Sequence, residues 1–219
     1  MKRIYILVEG QTEESFVDEA IVPFYAQLGI FIQPIIVSTS KSCKGGITSY
    51  AKIKPQILKL CRQDKNAWVT TFFDLYALPN DFPMKSSSGY SSLNNCHDKV
   101  DFLENALQQD ISEQNFLPYI MLHEFEALLF VDPDKFEWWV DDASIIDSLH
   151  QIKNSYTSPE EINNSPQTAP SKRILGLIPD YKKVVQGTII AMEIGLDEMR
   201  RQCLHFNHWL DRLENLRDL

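Results

Sequence analysis

Residues 1–14 of the chain read MKRIYILVEGQTEE, and this stretch decides the fold. Residues 2–8 form a short, largely apolar and β-branched run, which is typical of a buried strand. A tight turn follows, and Thr12 is a suitable N-cap for a helix with apolar residues at helical spacing over 15–28. The stretch therefore predicts a strand, a tight turn and a helix, the opening unit of an α/β sheet.

Two acidic side chains stand where this first strand ends. Glu9 follows the strand directly, at the carboxyl edge where open α/β sheets place their ligands, and Glu13 lies in the first turn of the helix. Two carboxylates that converge on one point offer the oxygen ligands that Mg²⁺ prefers. Acidic residues in a first helical turn also complement the helix dipole, which explains Glu13 without a metal but leaves Glu9 unexplained.

Composition and charge limit the classes of protein that this chain resembles. With 219 residues, 44% of them hydrophobic and 23% charged, it reads as one large domain or one domain with an appendage. The net charge of −9 argues against a broad basic surface, so nucleic acid would need a local basic patch or a bridging metal. The four scattered cysteines fit reduced thiols. We expect a cytoplasmic protein with no membrane span and no signal peptide.

Further strands and helices alternate along the first 130 residues. Strands are predicted at 33–39, 66–74 and 116–122, and helices at 47–62, where Pro55 would limit or kink the helix, and at 94–110. This alternation predicts an α/β fold with a mostly parallel sheet. The third strand ends on Asp74, which should then lie at the same sheet edge as Glu9. The loop at 75–93 is long enough to be functional or mobile.

The remainder of the chain reads as mainly helical. Short helices are predicted at 144–149 and at 158–164, with Ser158 as a cap, and the tail at 188–219 reads as two helices broken near Gly195. The Trp138-Trp139 pair is interpreted as core or partner-facing. We divide the chain into an α/β core at 1–130 and a mainly helical C-terminal extension at 131–219, packed on the core as one compact unit.

Two polar segments admit more than one interpretation. His123-Glu124 resembles the start of a zinc-binding HExxH motif, but Ala127 stands where the second histidine would be, so a sheet-edge network or a helix cap is favoured. Ser171-Lys172-Arg173 begins a basic patch, extended by Lys182 and Lys183, or is a solvated turn. The sequence contains neither GxGxxG nor GxxxxGK[ST], which argues against a dinucleotide cofactor and a self-contained NTPase.

Five blocks in this chain resemble a known family. They are EGQTEESF at 9–16, DLYALPNDFP at 74–83, LPYIMLHEFEALLF at 117–130, APSKRI at 169–174 and CLHFNHWL at 203–210. In this order they are similar to the family called domain of unknown function 4276. The resemblance implies a fold of the TOPRIM type, the metal-binding α/β domain of topoisomerases, primases and overcoming-lysogenization-defect nucleases. It also implies the nuclease-like half of a system whose other half is an ATPase, linked with phage defence in bacteria.

The resemblance assigns roles to individual residues. Glu9 would be the strand-end glutamate, Glu13 the extra acid of the overcoming-lysogenization-defect type, and Asp74 the first aspartate of an Asp-x-Asp motif. Tyr76 stands where the second aspartate would be, which removes one oxygen ligand. Three other acids are candidates to replace it: Glu124, Glu126 and Asp81.

The implied function is a metal-dependent nuclease or phosphodiesterase that uses Mg²⁺ or Mn²⁺. Glu9 and Asp74 would be catalytic as well as metal-binding, and Lys172 and Arg173 would offset the charge of the transition state. We expect nucleic acid, DNA rather than RNA, and an ATPase as partners, and leave a homo-oligomer open. The alternative is an inactive TOPRIM-like regulatory or binding subunit, which Tyr76 favours; a phosphatase for small phosphates is a third hypothesis.

Overall fold

The first strand, β1 (Lys2–Val8), forms at the predicted residues and lies inside a five-stranded sheet. The structure is a computed structural model that describes residues 2–38, 47–163 and 167–216. The strand order is β2-β1-β3-β4, and β5 also pairs with β3. Every strand pair is parallel, so the predicted α/β class with a parallel sheet is confirmed.

The helices flank this sheet and dominate the second half of the chain. The other strands are β2 (Ile30–Ile36), β3 (Ala67–Asp74), β4 (Phe116–Leu117) and β5 (Ile120–Met121). The α-helices are α1 (Gln11–Phe16), α2 (Val22–Gln27), α3 (Tyr50–Gln63), α4 (Ser88–Ser91), α5 (Cys96–Ile111), α6 (Ala143–Asn154), α7 (Pro170–Leu177), α8 (Thr188–Ile194), α9 (Leu196–Gln202) and α10 (Leu204–Glu214). Segments of 3₁₀-helix lie at Leu75–Ala77, Phe125–Val131, Pro133–Trp139 and Pro159–Glu161.

The strand register brings the acidic strand ends to one edge of the sheet. Val8 of β1 lies opposite Phe72 of β3, and Asp74, two residues further on, lies opposite Met121 of β5. Because the strands are parallel, the residues that follow β1, β3 and β5 all lie at the edge formed by the carboxyl ends of the strands.

The helix after β1 begins earlier than predicted. Gly10, not Thr12, is its N-cap, and the Glu14 N–H donates to the Gly10 carbonyl at 3.1 Å. Residues Val17–Ile21 form a π-helical turn before α2. Pro23, the second residue of α2, has no N–H to donate to this turn, which accounts for its wider geometry.

Two predicted strands differ from those observed. The predicted strand at 33–39 is β2, which starts three residues earlier because Gly29, at φ +72°, ends the preceding helix. Residues 39–46, including the rest of this strand, the predicted loop at 40–46 and Cys43, lie outside the described residues. The predicted strand at 116–122 is split into β4 and β5 around Pro118, which lacks a ladder donor. The Thr71 hydroxyl bridges the gap, contacting the Tyr119 carbonyl at 2.8 Å and its N–H at 3.0 Å.

The hydrophobic core has two parts, one on each face of the sheet. Alternation along β1 sends Ile4, Ile6 and Val8 into one cluster and Leu7 into the other. The first cluster also contains α1, α8, α9 and α10, and its largest buried side chain is Trp209. Trp209 donates from Nε1 to the Thr70 hydroxyl of β3 at 3.0 Å, so the C-terminal helices lie directly on the sheet.

Several smaller predictions also have an outcome in the structure. Pro55 lies inside α3 and does not end it. The tail forms three helices rather than two, because a second break at Cys203 follows the predicted break at Gly195. Trp138 is 81% exposed, which excludes the core alternative for this residue and leaves the partner-facing alternative as a prediction. Within the described ranges, no helix has the length and apolar content needed to cross a membrane.

Candidate functional site

Glu9 is a buried acid at the carboxyl end of β1. Only 7% of its surface is exposed, and its Oε1 accepts the backbone N–H of Asp74 at 2.7 Å. Burial raises the pKa of Glu9 from 4.5 to about 8, against the lowering effect of that hydrogen bond, and the charge of Glu13 raises the pKa further. The hydrogen bond ties β1 to β3 at the edge where the carboxylates meet.

Asp74 is the acid that ends β3 at this edge of the sheet. Its Oδ1 atom is buried and has no hydrogen-bond partner. Burial raises the pKa of Asp74 well above 3.8, and four neighbouring carboxylates act in the same direction: Glu9, Glu13, Glu126 and Glu124. A buried acceptor without a donor, among other acids, favours either a proton or a cation at this position.

Glu13 has a structural role in addition to its place among these acids. It is the third residue of α1, and the backbone N–H of the N-cap, Gly10, lowers its pKa, as a reciprocal capping residue does. Burial has the larger effect, and the net pKa of Glu13 is raised. Glu13 can therefore stabilise the start of α1 and also belong to the group of acids that would bind a metal.

Glu124 and Glu126 reach the same cluster from the segment that follows β5. Glu124 Oε2 accepts the backbone N–H of Ser171, at the start of α7, at 3.0 Å. Glu126 is only 2% exposed, and burial raises its pKa. The structure thus brings together all five carboxylates that the sequence suggests as metal ligands: Glu9, Glu13, Asp74, Glu124 and Glu126.

The basic side chains beside these carboxylates are Lys183 and Lys85. Lys183 Nζ lies 2.8 Å from Glu126 Oε1. Burial alone would lower the pKa of Lys183, but Glu126 outweighs this effect and the net pKa is raised. Lys85 belongs to the long loop after β3, binds the Leu78 carbonyl and is influenced by the charge of Glu9. The sequence indicated neither lysine as a site residue, although Lys183 extended the basic patch and Lys85 lies in the loop predicted to be functional.

The predicted basic pair lies at the start of α7. Arg173 donates to the Thr168 carbonyl and to the Tyr156 hydroxyl, both at 2.7 Å, and its guanidinium lies over the Tyr156 ring. Lys172 is exposed. The segment meets the carboxylates through the backbone of Ser171 rather than through these two side chains, and their catalytic role stays a prediction.

Asp81 does not join the carboxylate cluster by its hydrogen bonds. It accepts the Ser49 hydroxyl at 2.7 Å and the Tyr50 N–H at 2.9 Å, and so caps the start of α3. Among the candidates to replace the aspartate missing at Tyr76, Glu124 and Glu126 therefore have the better placement.

The donor chemistry of the cluster suits a divalent cation. Its ligands would be carboxylate oxygens, which hard cations prefer, and Asp74, with its unpartnered Oδ1, has other acids near enough to raise its pKa. Across residues 2–38, 47–163 and 167–216, however, no three acidic, histidine or cysteine side chains already stand in a metal-binding arrangement. Glu126 is bound to Lys183 and Glu124 to Ser171, so cation binding would require some of these carboxylates to exchange partners.

Comparison with known families supports the resemblance of the five sequence blocks. A family model described as Domain of unknown function (DUF4276) matches residues 8–214. The chain belongs to this family. The matched range includes all five carboxylates and the α7 segment. No curated protein matches the chain.

Among solved structures, the chain is similar to the C-terminal region of the OLD protein of Xanthomonas campestris pv. campestris. The structure phased with mercury has 15% identity and a TM-score of 0.41, covering 98% of this chain and 97% of that chain. The structure phased with iodine has 15% identity and a TM-score of 0.40, with the same coverage. These values describe a distant likeness.

Proposed function

We propose that this protein is a metal-dependent nuclease or related phosphodiesterase of the TOPRIM type. The observation that carries the proposal is at the carboxyl edge of a parallel sheet: four carboxylates from two other segments lie near enough to Asp74 to raise its pKa, and its buried Oδ1 has no hydrogen-bond partner. A structural salt-bridge network would pair its acids with bases, whereas here acids outnumber the neighbouring lysines. A group of carboxyls with raised pKa values at a sheet edge is a candidate functional site, where a bound cation would replace their protons.

Glu9, Glu13 and Asp74 would hold one or two Mg²⁺ or Mn²⁺ ions, with Glu124 or Glu126 supplying the oxygen that Tyr76 does not. When bound, the metal polarises a phosphoryl oxygen and lowers the pKa of an attacking water. The protein positions these oxygens through backbone hydrogen bonds: the Asp74 N–H holds Glu9 and the Ser171 N–H holds Glu124. Glu9 would alternatively act as the general base.

Positive side chains would stabilise the charge that develops on the phosphate. Lys183 and Lys85 are well placed because both act on the carboxylates electrostatically. We retain Lys172 and Arg173 as phosphate-contacting residues at the rim, since the residue before them, Ser171, binds Glu124. Without metal, the acids would repel a polyanion, so activity should depend strictly on a divalent cation.

The wider setting follows the family resemblance. We propose that the protein is cytoplasmic, acts on nucleic acid, DNA rather than RNA, and works with an ATPase partner in bacterial anti-phage defence. The division into a core at 1–130 and a helical extension at 131–219 is proposed as one compact unit, because one hydrophobic cluster contains residues from both parts.

The direct test is cleavage of labelled plasmid, single-stranded DNA and RNA with Mg²⁺ or Mn²⁺ against EDTA. Wild type is compared with Asp74→Asn, which keeps the shape of the side chain but removes its charge. Asp98→Asn, in α5, is the matched control. We expect cleavage that needs metal, is lost in Asp74→Asn and is kept in Asp98→Asn. Metal-independent cleavage, or full activity of Asp74→Asn, would refute the proposal.

An inactive regulatory subunit is the second candidate function. It is favoured by Tyr76 in place of an acid and by the ion pair that Lys183 makes with Glu126, which supplies an internal positive charge. A subunit of this kind would bind its ATPase partner yet cleave nothing with that partner present. Cleavage assays on the co-purified complex, with and without ATP, separate the two candidates.

A further inference from the structure

An open cleft of about 780 Å³ lies beside the carboxylate cluster, and the proposed function does not yet use it. Its lining includes Leu75 and Tyr76, which directly follow Asp74, and His123, which directly precedes Glu124. Lys85, which acts electrostatically on Glu9, lines it as well. The cleft is therefore lined by residues that adjoin the carboxylates in the chain. Its volume falls in the range of about 300–1,000 Å³ that is typical of ligand pockets.

The lining combines aromatic, cationic and amide side chains. The aromatic side chains are Tyr76, Tyr90 and Tyr156, and the cations are Lys85 and Lys99. The amides are Asn94, Asn95 and Asn163. Tyr76 is 40% exposed although it follows the buried end of β3. Among the described lining residues the one carboxylate is Glu161, and it lies 3.2 Å from His97 Nε2.

This local composition contrasts with that of the whole chain. The protein carries a net charge of −9. A lining with two lysines and one acid is therefore a place where a polyanion can approach this edge of the sheet. Lys99 also lies 5.9 Å from the centre of the Tyr90 ring, so charge and aromatic surface are presented together.

We propose that this cleft binds one nucleotide unit of single-stranded nucleic acid, with its base against Tyr76 and its phosphate directed toward the carboxylates. The inference rests on the proposed nuclease function and names its substrate class. Aromatic side chains beside lysines are the usual means of holding single strands, because unpaired bases expose faces that can stack. The paired bases of an intact duplex are stacked on each other and would not enter the cleft.

Asn94 gives the cleft a means of contacting base edges, because its amide has two N–H donors and one oxygen acceptor, the groups that hydrogen-bond unpaired bases. The Asn95 oxygen is already used, since it accepts the His97 N–H at 2.7 Å and caps α5. Single-stranded DNA and RNA share this chemistry, so both are included in the test.

The test is a binding measurement that does not require cleavage. Fluorescence anisotropy is measured with a labelled oligo-dT, an oligo-rU and a DNA hairpin duplex of equal charge, once in EDTA and once in Ca²⁺. Tyr76→Ala and Lys99→Ala are compared with Trp138→Ala, an exposed aromatic outside the cleft, and Lys59→Ala, an exposed lysine of α3.

We expect single strands to bind more tightly than the hairpin. Tyr76→Ala should weaken single-strand binding by roughly five- to one-hundredfold, as loss of one stacking ring does, while Tyr76→Phe keeps it. Lys99→Ala should weaken binding and reduce its salt dependence. The variants Trp138→Ala and Lys59→Ala should bind as wild type does. Equal or tighter binding of the hairpin, an unchanged Kd in Tyr76→Ala, or no binding in either buffer would overturn the inference.

Failure of this inference is distinguishable from failure of the nuclease proposal. The thermal shift caused by Mn²⁺ reports on the carboxylates alone, and Tyr76→Ala should leave it unchanged. If metal-dependent cleavage persists while single strands show no preference for the cleft, the nuclease proposal stands and the cleft assignment falls. If Mn²⁺ has no effect but single strands bind through Tyr76, the cleft assignment is supported and the proposal of metal-dependent cleavage is refuted.

Discussion

Replacing Glu9 by glutamine should make the metal-free protein more stable at alkaline pH and remove its response to divalent cations. Glutamine keeps the side-chain oxygen that accepts the Asp74 N–H at 2.7 Å, so the link between β1 and β3 survives. What is lost is the negative charge, at a site that is 7% exposed and shared with other acids. A comparison of Glu9→Gln with wild type therefore measures the effect of the charge of Glu9 at nearly constant side-chain shape.

The magnitude follows from the pKa of Glu9, which burial raises from 4.5 to about 8. A carboxyl with a raised pKa in the folded state holds its proton more tightly there than in the unfolded chain. The stability that it contributes is full below pH 4.5 and is lost as the pH rises toward 8. One such proton changes the free energy of unfolding by about 1.4 kcal/mol per pH unit, or at most about 5 kcal/mol over this window.

The assay is urea denaturation in EDTA at pH 5, 6, 7 and 8, repeated with Mg²⁺ at pH 8. Wild type should lose stability steadily from pH 5 to 8, and Glu9→Gln should lose about 1.4 kcal/mol less per pH unit. Saturating Mg²⁺, at about one hundred times its Kd, should restore about 2.7 kcal/mol to wild type and little to the variant. Identical pH slopes for the two proteins would refute the assignment of a buried, proton-binding Glu9.

Two further predictions concern stability. Lys183→Met removes the partner of buried Glu126, and we expect a cost of about 1–2 kcal/mol at pH 8 in urea denaturation, limited by the partial exposure of Lys183. The cost should shrink as the pH falls through the raised pKa of Glu126, because the protonated side chain no longer needs a cation. Lys182→Met, at an exposed neighbour, should cost nothing at pH 8 or at pH 5, and an equal loss in both variants would argue against the ion pair. Gly195→Ala should lower stability by about 1–3 kcal/mol because φ is +79°, a conformation that alanine adopts only with strain. Neither Gly195 nor Gly176 has an atom near its Cβ position, so the two differ in backbone conformation and not in space. Gly176→Ala, in a helix, should be neutral or stabilising by up to about 1 kcal/mol. Calorimetric melting of both glycine variants tests this, and a harmless Gly195→Ala would contradict the conformational argument.

The elements with a clear local pattern were predictable from the sequence. The strand ahead of Glu9 and the strand that ends on Asp74 form within one residue of their predicted bounds, because apolar, β-branched runs leave little choice of structure. The break at Gly195 was predictable for a similar reason, since a positive φ favours glycine. Sequence patterns that act within a few residues therefore predict these parts of the structure correctly.

The errors arose where distant residues decide local structure. Thr12 is a good N-cap by type, but the turn that carries Glu9 toward Asp74 starts the helix at Gly10 instead. At the split of the predicted fourth strand, the backbone N–H and carbonyl of Tyr119, next to Pro118, both bond to the hydroxyl of Thr71, which lies 48 residues away in the chain. Trp138 is exposed, although aromatic residues in helical segments are more often core.

The cations of the site show the same limit. Lys183 lies 57 residues beyond Glu126 in the chain, and only the packing of the C-terminal helices on the sheet places its Nζ 2.8 Å from that carboxylate. Arg173, in a more conspicuous motif, is instead held by Thr168 and Tyr156. Residue type and motif therefore indicated basic residues of the right region but not which one meets the acids.

The sequence by itself determined the α/β class and the acids at the strand ends, because strand patterns are local and parallel strands always deliver their carboxyl ends to one edge. The tertiary structure alone decided the rest of the site. It buried Glu9, left the buried Oδ1 of Asp74 without a donor, paired Glu126 with Lys183 and opened a cleft beside them. Burial and pairing depend on which segments lie next to each other in space, and that information is spread over the whole chain.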